Sequence, residues 1–100
     1  MPKAMQYTKG SIIYFEGDHD ERIFIMQQGA VLLTSTDIES GQPVAEQVKS
    51  GEFFGVKSAL GHFRREETAT ALVPTVAVAL TIQEFEILFS NNKALIMKML

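Results

Sequence analysis

Short apolar runs broken by glycine set the rhythm of the chain. Ser11–Phe15 carries Ile12, Ile13, Tyr14 and Phe15; Arg22–Gln27 carries Ile23, Phe24, Ile25 and Met26; Ala30–Thr36 opens with Val31, Leu32 and Leu33 before three β-tolerant hydroxyl residues. Runs of this length fit strands buried on both faces, although periodicity alone does not separate them from short buried helices; length and flanking glycines select strands. Glycines stand at 10, 17, 29, 41, 51, 55 and 61, with several gaps of 7–12 residues, the turn spacing of a sandwich or barrel of short strands.

Turn chemistry agrees. Glu16-Gly17-Asp18 and Glu39-Ser40-Gly41-Gln42 place glycine where a positive φ is needed. Pro43 then starts an edge strand, where its missing N–H does little harm. Two further strands are predicted at Thr68–Leu72 and Val76–Thr81, separated by Val73-Pro74-Thr75. The period then changes. Thr81-Ile82-Gln83-Glu84 reads as a capping box, and Ile82, Phe85, Leu88 and Phe89 form an apolar helical face with Glu84 and Glu86 near the positive end of the dipole. After a polar break at Ser90-Asn91-Asn92, the apolar segment Ala94–Leu100 either docks on the β core or begins a longer helix.

Composition narrows the class. The 100 residues fit one domain, and 46% hydrophobic with 21% charged residues is ordinary for a globular protein. No apolar run approaches the ~18–20 residues that span a bilayer, and Met1–Gln6 lacks the apolar stretch of a secretory signal. With no cysteine there is no disulfide framework, and a cytoplasmic location is expected. The net charge of −3 comes from residues 1–50, which carry four basic and seven acidic side chains against five of each in 51–100. Nothing forms a basic stripe that could follow a phosphate backbone, so direct nucleic-acid contact by this segment is not expected.

Catalytic chemistry finds no purchase. No nucleophile stands in an elbow, no Walker loop is present, and no carboxylate pair has catalytic context, so the chain reads as a non-enzyme. Glu16, Asp18, Asp20 and Glu21 cluster in the first turn without the spacing of a Ca²⁺ loop and read as a solvated hairpin loop. His19 and His62, the only histidines, lie too far apart in sequence to suggest a metal-binding barrel. No metal or cofactor site is expected.

One ordered set of residues carries more. Lys9-Gly10, Gly17-Asp18, the strand ending at Gly29, Gly41, and then Gly51-Glu52-Phe53-Phe54-Gly55 follow one another in an order and spacing that resembles the cyclic-nucleotide-binding domain of catabolite-activator-type regulators, kinase regulatory subunits and gated channels. The resemblance covers roughly residues 9–98. It implies an all-β fold with flanking helices: a double-stranded β-helix, or jelly-roll-like β-roll, of about eight strands over about 9–81, with a short phosphate-cassette helix and C-terminal helices over about 82–100. It also implies that the helices preceding the roll and the helix closing over the base are missing or very short in this chain.

By the same resemblance, Phe54 and Gly55 open the cassette, Val56, Lys57, Ser58 and Ala59 form its helical turn, and Arg65 stands at the place of the arginine that forks onto the cyclic phosphate. Two departures from the family matter, at the residue after Phe-Gly and around the arginine, where Arg64 replaces the family's proline. The glutamate that follows Phe-Gly and accepts from the ribose 2′-hydroxyl is here Val56, and the small residues after the arginine are here Glu66 and Glu67, followed by Thr68. A buried hydroxyl without a partner costs about 1–3 kcal/mol, roughly ten- to a hundred-fold in affinity. Strand alternation puts Glu67 on the face of Arg65 and Glu66 on the other. Three readings stay open: Glu67 pairs with Arg65 and neutralises the anion site, a glutamate replaces the acceptor lost at Val56, or the two are solvent-facing charges of no consequence.

The expected function is a regulatory module that binds a cyclic nucleotide or related phosphate-bearing nucleotide and relays occupancy to the C-terminal helices, with a transcriptional regulator as the expected setting. The alternative is a degenerate, non-binding β-roll serving interaction or dimerisation, with the C-terminal helix as a candidate homodimer contact.

Overall fold

The computed structural model describes residues 2–90. Eight strands run in chain order as β1 (Lys3–Tyr7), β2 (Ile12–Tyr14), β3 (Ile23–Gln28), β4 (Val31–Thr36), β5 (Pro43–Val48), β6 (Phe53–Phe54), β7 (Thr68–Ala71) and β8 (Thr75–Leu80). Helix α1 (Val56–Gly61) lies between β6 and β7, and α2 (Ile82–Ser90) follows β8. The strands form two four-stranded antiparallel sheets, ordered β1-β8-β3-β6 and β2-β7-β4-β5. This is the β-roll expected from the sequence.

The space between the sheets holds the main core. Phe24, Met26, Phe54 and Ala77 from the first sheet meet Ile13, Tyr14, Val31, Val48 and Ala69 from the second. A second cluster of Ile23, Ala59, Leu80 and Phe85 lies on the outer face of the first sheet, with Phe53, Val56, Val78, Ile82, Leu88 and Phe89 packed around it. The continuous apolar run of β3 is thereby explained. Its neighbours Ile23 and Phe24 point to opposite faces, yet both are 0% exposed, because one face meets the other sheet and the other meets α1 and α2.

Turns and edges follow their local chemistry. Gly29 joins β3 to β4 at φ +100, and a Cβ there would stand 2.5 Å from Thr75 Oγ1 and 2.7 Å from the Pro74 carbonyl oxygen, so the close approach of the two turns admits only glycine. Pro43 opens β5 at the outer edge of its sheet. The capping box closes as the sequence predicts: the Thr81 amide donates to Glu84 Oε1 at 2.8 Å, and the Glu84 amide donates to Thr81 Oγ1 at 3.1 Å.

One strand stands outside the sequence reading, which starts the roll near residue 9. Strand β1 pairs with β8 from Lys3↔Ala79 to Tyr7↔Thr75. Other boundaries shift by a residue or so. The expected segment Ala94–Leu100 lies outside the described residues.

Candidate functional site

The site grows from the end of β6. Phe54 pairs with Phe24 and stacks on its ring at 4.9 Å in the main core, while Phe53 turns outward to meet the edge of Phe85 at 5.6 Å. These two anchors fix where the chain must turn. Gly55 makes the turn at φ +76, and a Cβ on it would lie 2.6 Å from Arg65 Nη1. Helix α1 follows, with Ser58 and Ala59 buried, and ends at His62, whose left-handed φ of 57° lets its amide bond back to the Ala59 carbonyl at 3.3 Å. His62 Nδ1 lies 2.7 Å from Glu21 Oε2, tying the end of α1 to the β2–β3 turn.

Arg65 lies directly beneath this turn. Its side chain is 0% exposed. Nη1 donates to the Gly55 carbonyl at 2.7 Å and to Ser58 Oγ at 2.8 Å. Nη2 donates to the main-chain oxygen of Arg22 and lies 3.3 Å from Asp20 Oδ1. The guanidinium carbon sits 4.1 Å from the centre of the Tyr14 ring, a cation–π contact. Only Nε lacks a partner among the described residues. The guanidinium therefore clamps Gly55, Ser58 and the β2–β3 turn together, with both terminal nitrogens occupied inside the protein.

Asp20 completes the clamp. Its Oδ1 accepts from the Arg22 amide at 3.0 Å, and its carboxylate takes a bidentate pair from the Arg22 side chain at 3.0 and 2.8 Å. Burial raises its carboxyl pKa, but the Arg22 hydrogen bonds and the Arg65 charge outweigh burial and hold it below the usual range.

Above the clamp, a cavity of about 90 Å³ is walled by Leu33, Gly55, Val56, Lys57, Ser58, Glu66 and Glu67. Glu67 is held by the buried Tyr14, whose hydroxyl donates to Glu67 Oε2 at 2.6 Å. Burial, then the bond to that carboxylate, drives the Tyr14 phenol far above its ordinary pKa. Lys57 Nζ lies 3.7 Å from Glu66 Oε2 at the solvent side. Beyond Glu66 an open groove of about 570 Å³ continues along Glu16, Gly17, Ser35, Thr36 and Ile38. Arg65 borders it by main chain alone, since its side chain is fully buried.

The predicted site residues therefore divide. Gly55, Val56, Lys57, Ser58, Glu66 and Glu67 come together around one cavity. Arg65 lies below it as a clamp. Phe54 is a core anchor, Ala59 belongs to the outer cluster, and Thr68 Oγ1 accepts from the Glu16 amide at 3.0 Å. Of the three readings left open for Glu66 and Glu67, the Arg65–Glu67 pairing does not form: Arg65 pairs with Asp20, and Glu67 accepts from Tyr14. Asp20, read from sequence as part of a solvated loop, has a side chain only 12% exposed. The residues that sequence reading missed are Asp20, Tyr14 and Leu33. For Asp20 the available signal was its place two residues before Arg22, where an Asp side chain bonds the backbone locally. Tyr14 and Leu33 carried no signal beyond core patterning.

Among the described residues no three His, Cys, Asp or Glu side chains gather as a metal site, and no helix is long and apolar enough to cross a membrane.

Comparison with known proteins places the fold. Among curated protein sequences, no match to the chain is found. The chain is similar to the catabolite activator protein of Thermus thermophilus, at 26% identity and a TM-score of 0.77, covering 90% of this chain and 42% of that one. It is also similar to cAMP-bound PfPKA-R, at 29% identity and a TM-score of 0.74, covering 85% of this chain and 30% of the other. The c-di-GMP-responsive global regulator CLP of Xanthomonas campestris shares the fold at 15% identity and a TM-score of 0.74, over 89% of this chain and 44% of that one. The chain thus spans less than half the length of each of these proteins. The family model for the cyclic nucleotide-binding domain matches residues 4–92, nearly the whole of the chain, and the chain belongs to the cyclic nucleotide-binding domain family.

Proposed function

We propose that the chain is a ligand-sensing regulatory module, taking a cyclic nucleotide or related phosphate-bearing nucleotide at the α1–β7 cavity and passing occupancy to α2 and the C-terminal segment that follows it. The observation that carries this reading is the common cavity walled by the α1 turn, Gly55 to Ser58, and by Glu66 and Glu67 at the entry to β7. Lys57 is the exposed cation at its mouth, and the open groove past Glu66 has room for the remainder of a nucleotide. Arg65 contributes by holding the turn in shape.

The relay has a physical route. Val56 and Ala59 of α1 share the outer apolar cluster with Ile82, Phe85 and Phe89 of α2, so a shift of α1 on binding alters the packing of α2. Such a signal requires the ligand to favour one arrangement over the other. A cytoplasmic transcriptional regulator is the setting proposed for it, with a homodimer contact through the C-terminal helix and nucleic-acid contact left to another part of the protein.

Calorimetry with cAMP, cGMP and cyclic di-GMP tests this. Binding of at least one below millimolar is expected. Glu66→Gln, which frees Lys57 and removes a like charge, is expected to strengthen it several-fold at low salt. Absence of heat from all three, with the fold intact, overturns the proposal. That outcome favours a β-roll used for protein contact alone, a reading supported by the internal engagement of the Arg65 terminal nitrogens.

A further inference from the structure

We propose that Glu67 is the specificity-determining residue of the cavity, accepting a hydrogen bond from a hydroxyl group of the ligand; this rests on the ligand-binding reading above. The walls of the cavity differ in what they offer a ligand. Leu33 and Val56 offer only apolar surface. Ser58 Oγ already accepts from Arg65, so its lone pairs are partly committed and its own hydrogen is what remains to give. Lys57 donates only, and Glu66 faces it at the solvent side, with side chains 83% and 55% exposed.

Glu67 differs from all of these. Its Oε2 is pinned by the buried Tyr14 hydroxyl, while no donor among the described residues reaches Oε1 and that atom is not sealed from solvent. A carboxylate is an acceptor with no hydrogen to give, and one fixed oxygen sets the orientation of the other. The anchoring ring is itself packed on both sides: Tyr14 lies between the Arg65 guanidinium at 4.1 Å and the Phe24 and Phe54 rings, each at 6.1 Å. Glu67 is thus a preorganised acceptor on a wall that otherwise supplies donors and apolar surface. A phosphate is repelled there and belongs toward Lys57. The part of the ligand that meets Glu67 must bring a hydrogen. A cavity of about 90 Å³ holds only a few non-hydrogen atoms, which suits a sugar hydroxyl rather than an aromatic base.

The test compares adenosine 3′,5′-cyclic monophosphate with its 2′-deoxy analogue on the intact chain, by calorimetry, against Glu67→Gln and Tyr14→Phe. The native chain is expected to prefer the ribose form by about tenfold, the scale of a hydrogen bond to a charged acceptor. In Glu67→Gln the Tyr14 hydroxyl holds the amide carbonyl and turns the NH₂ toward the ligand, so the preference is expected to vanish. In Tyr14→Phe the carboxylate keeps its charge but loses its anchor, and the preference falls several-fold. Thermal melts identify any variant that fails to fold, in which case the other decides. If the native chain binds both nucleotides equally, or a folded variant keeps the full preference, the role of Glu67 is overturned while ligand binding stands. If neither nucleotide binds the native chain, both proposals fall.

Discussion

At the scale of single residues, the site is governed by which charges are buried with partners. Arg65 and Asp20 form a pair with side chains 0% and 12% exposed, supplemented by main-chain oxygens that accept from both terminal nitrogens of the guanidinium. Removing one member of such a pair costs about 3–5 kcal/mol, because the other is left charged and uncompensated. The folded-state pKa of Asp20 is depressed, so its contribution to stability is present above the unfolded value of about 4 and is lost as pH falls through the folded value. Denaturant melts of the native chain are therefore expected to lose stability below about pH 4. Asp20→Asn is expected to be less stable at neutral pH and to show a shallower acid dependence. An acid profile identical to that of the native chain would sink this account of Asp20. None of these partnerships was legible in the sequence. Arg65 was singled out by the family resemblance, but Arg22 lies 43 residues away from it along the chain, and only the folded sheets bring them together.

At the scale of elements, legibility tracked how much of the signal was local. The capping box of α2 was readable because Thr81 and Glu84 satisfy one another within a single turn. Thr81→Ala is expected to cost about 1 kcal/mol, measured as a shift in the denaturation midpoint with an unchanged slope; a change within error would mean that packing alone holds the helix start. Strand β3 was readable as apolar, and its two-sided burial explains why strict alternation was absent. Strand β1 was missed for the opposite reason. Lys3-Ala4-Met5-Gln6-Tyr7 contains no β-branched residue, its propensity is weak, and it becomes a strand through its five-residue register with β8. The cassette helix lies between these cases. Gly55 marked its start, but Val56 read only as a lost acceptor, whereas the structure also gives it a place in the apolar cluster shared with α2.

That shared cluster sets what the whole molecule can do. Among the described residues, the main core between the sheets and the outer cluster over the first sheet meet through β3, β6 and β8, whose adjacent residues face alternate sides. The β-roll can therefore stay intact while α1 and α2 repack together on its outside, a division of stability that suits a sensor. Phe85 is the residue on which this depends. It is 4% exposed, meets the edge of Phe53 at 5.6 Å and of Phe89 at 4.3 Å, and lies in the cluster with Ile23, Ala59 and Leu80. Phe85→Ala removes about 3–5 kcal/mol of packing, but from the outer layer alone. Amide exchange is expected to show α1 and α2 losing protection together, while β4 and β7, which pack against the inner core, keep theirs. Loss confined to α2 would show that Val56 and Ala59 do not couple the cassette to it, and the route proposed for the signal would fail. Uniform loss across both sheets would show one indivisible core, leaving the helices no freedom to report on the cavity.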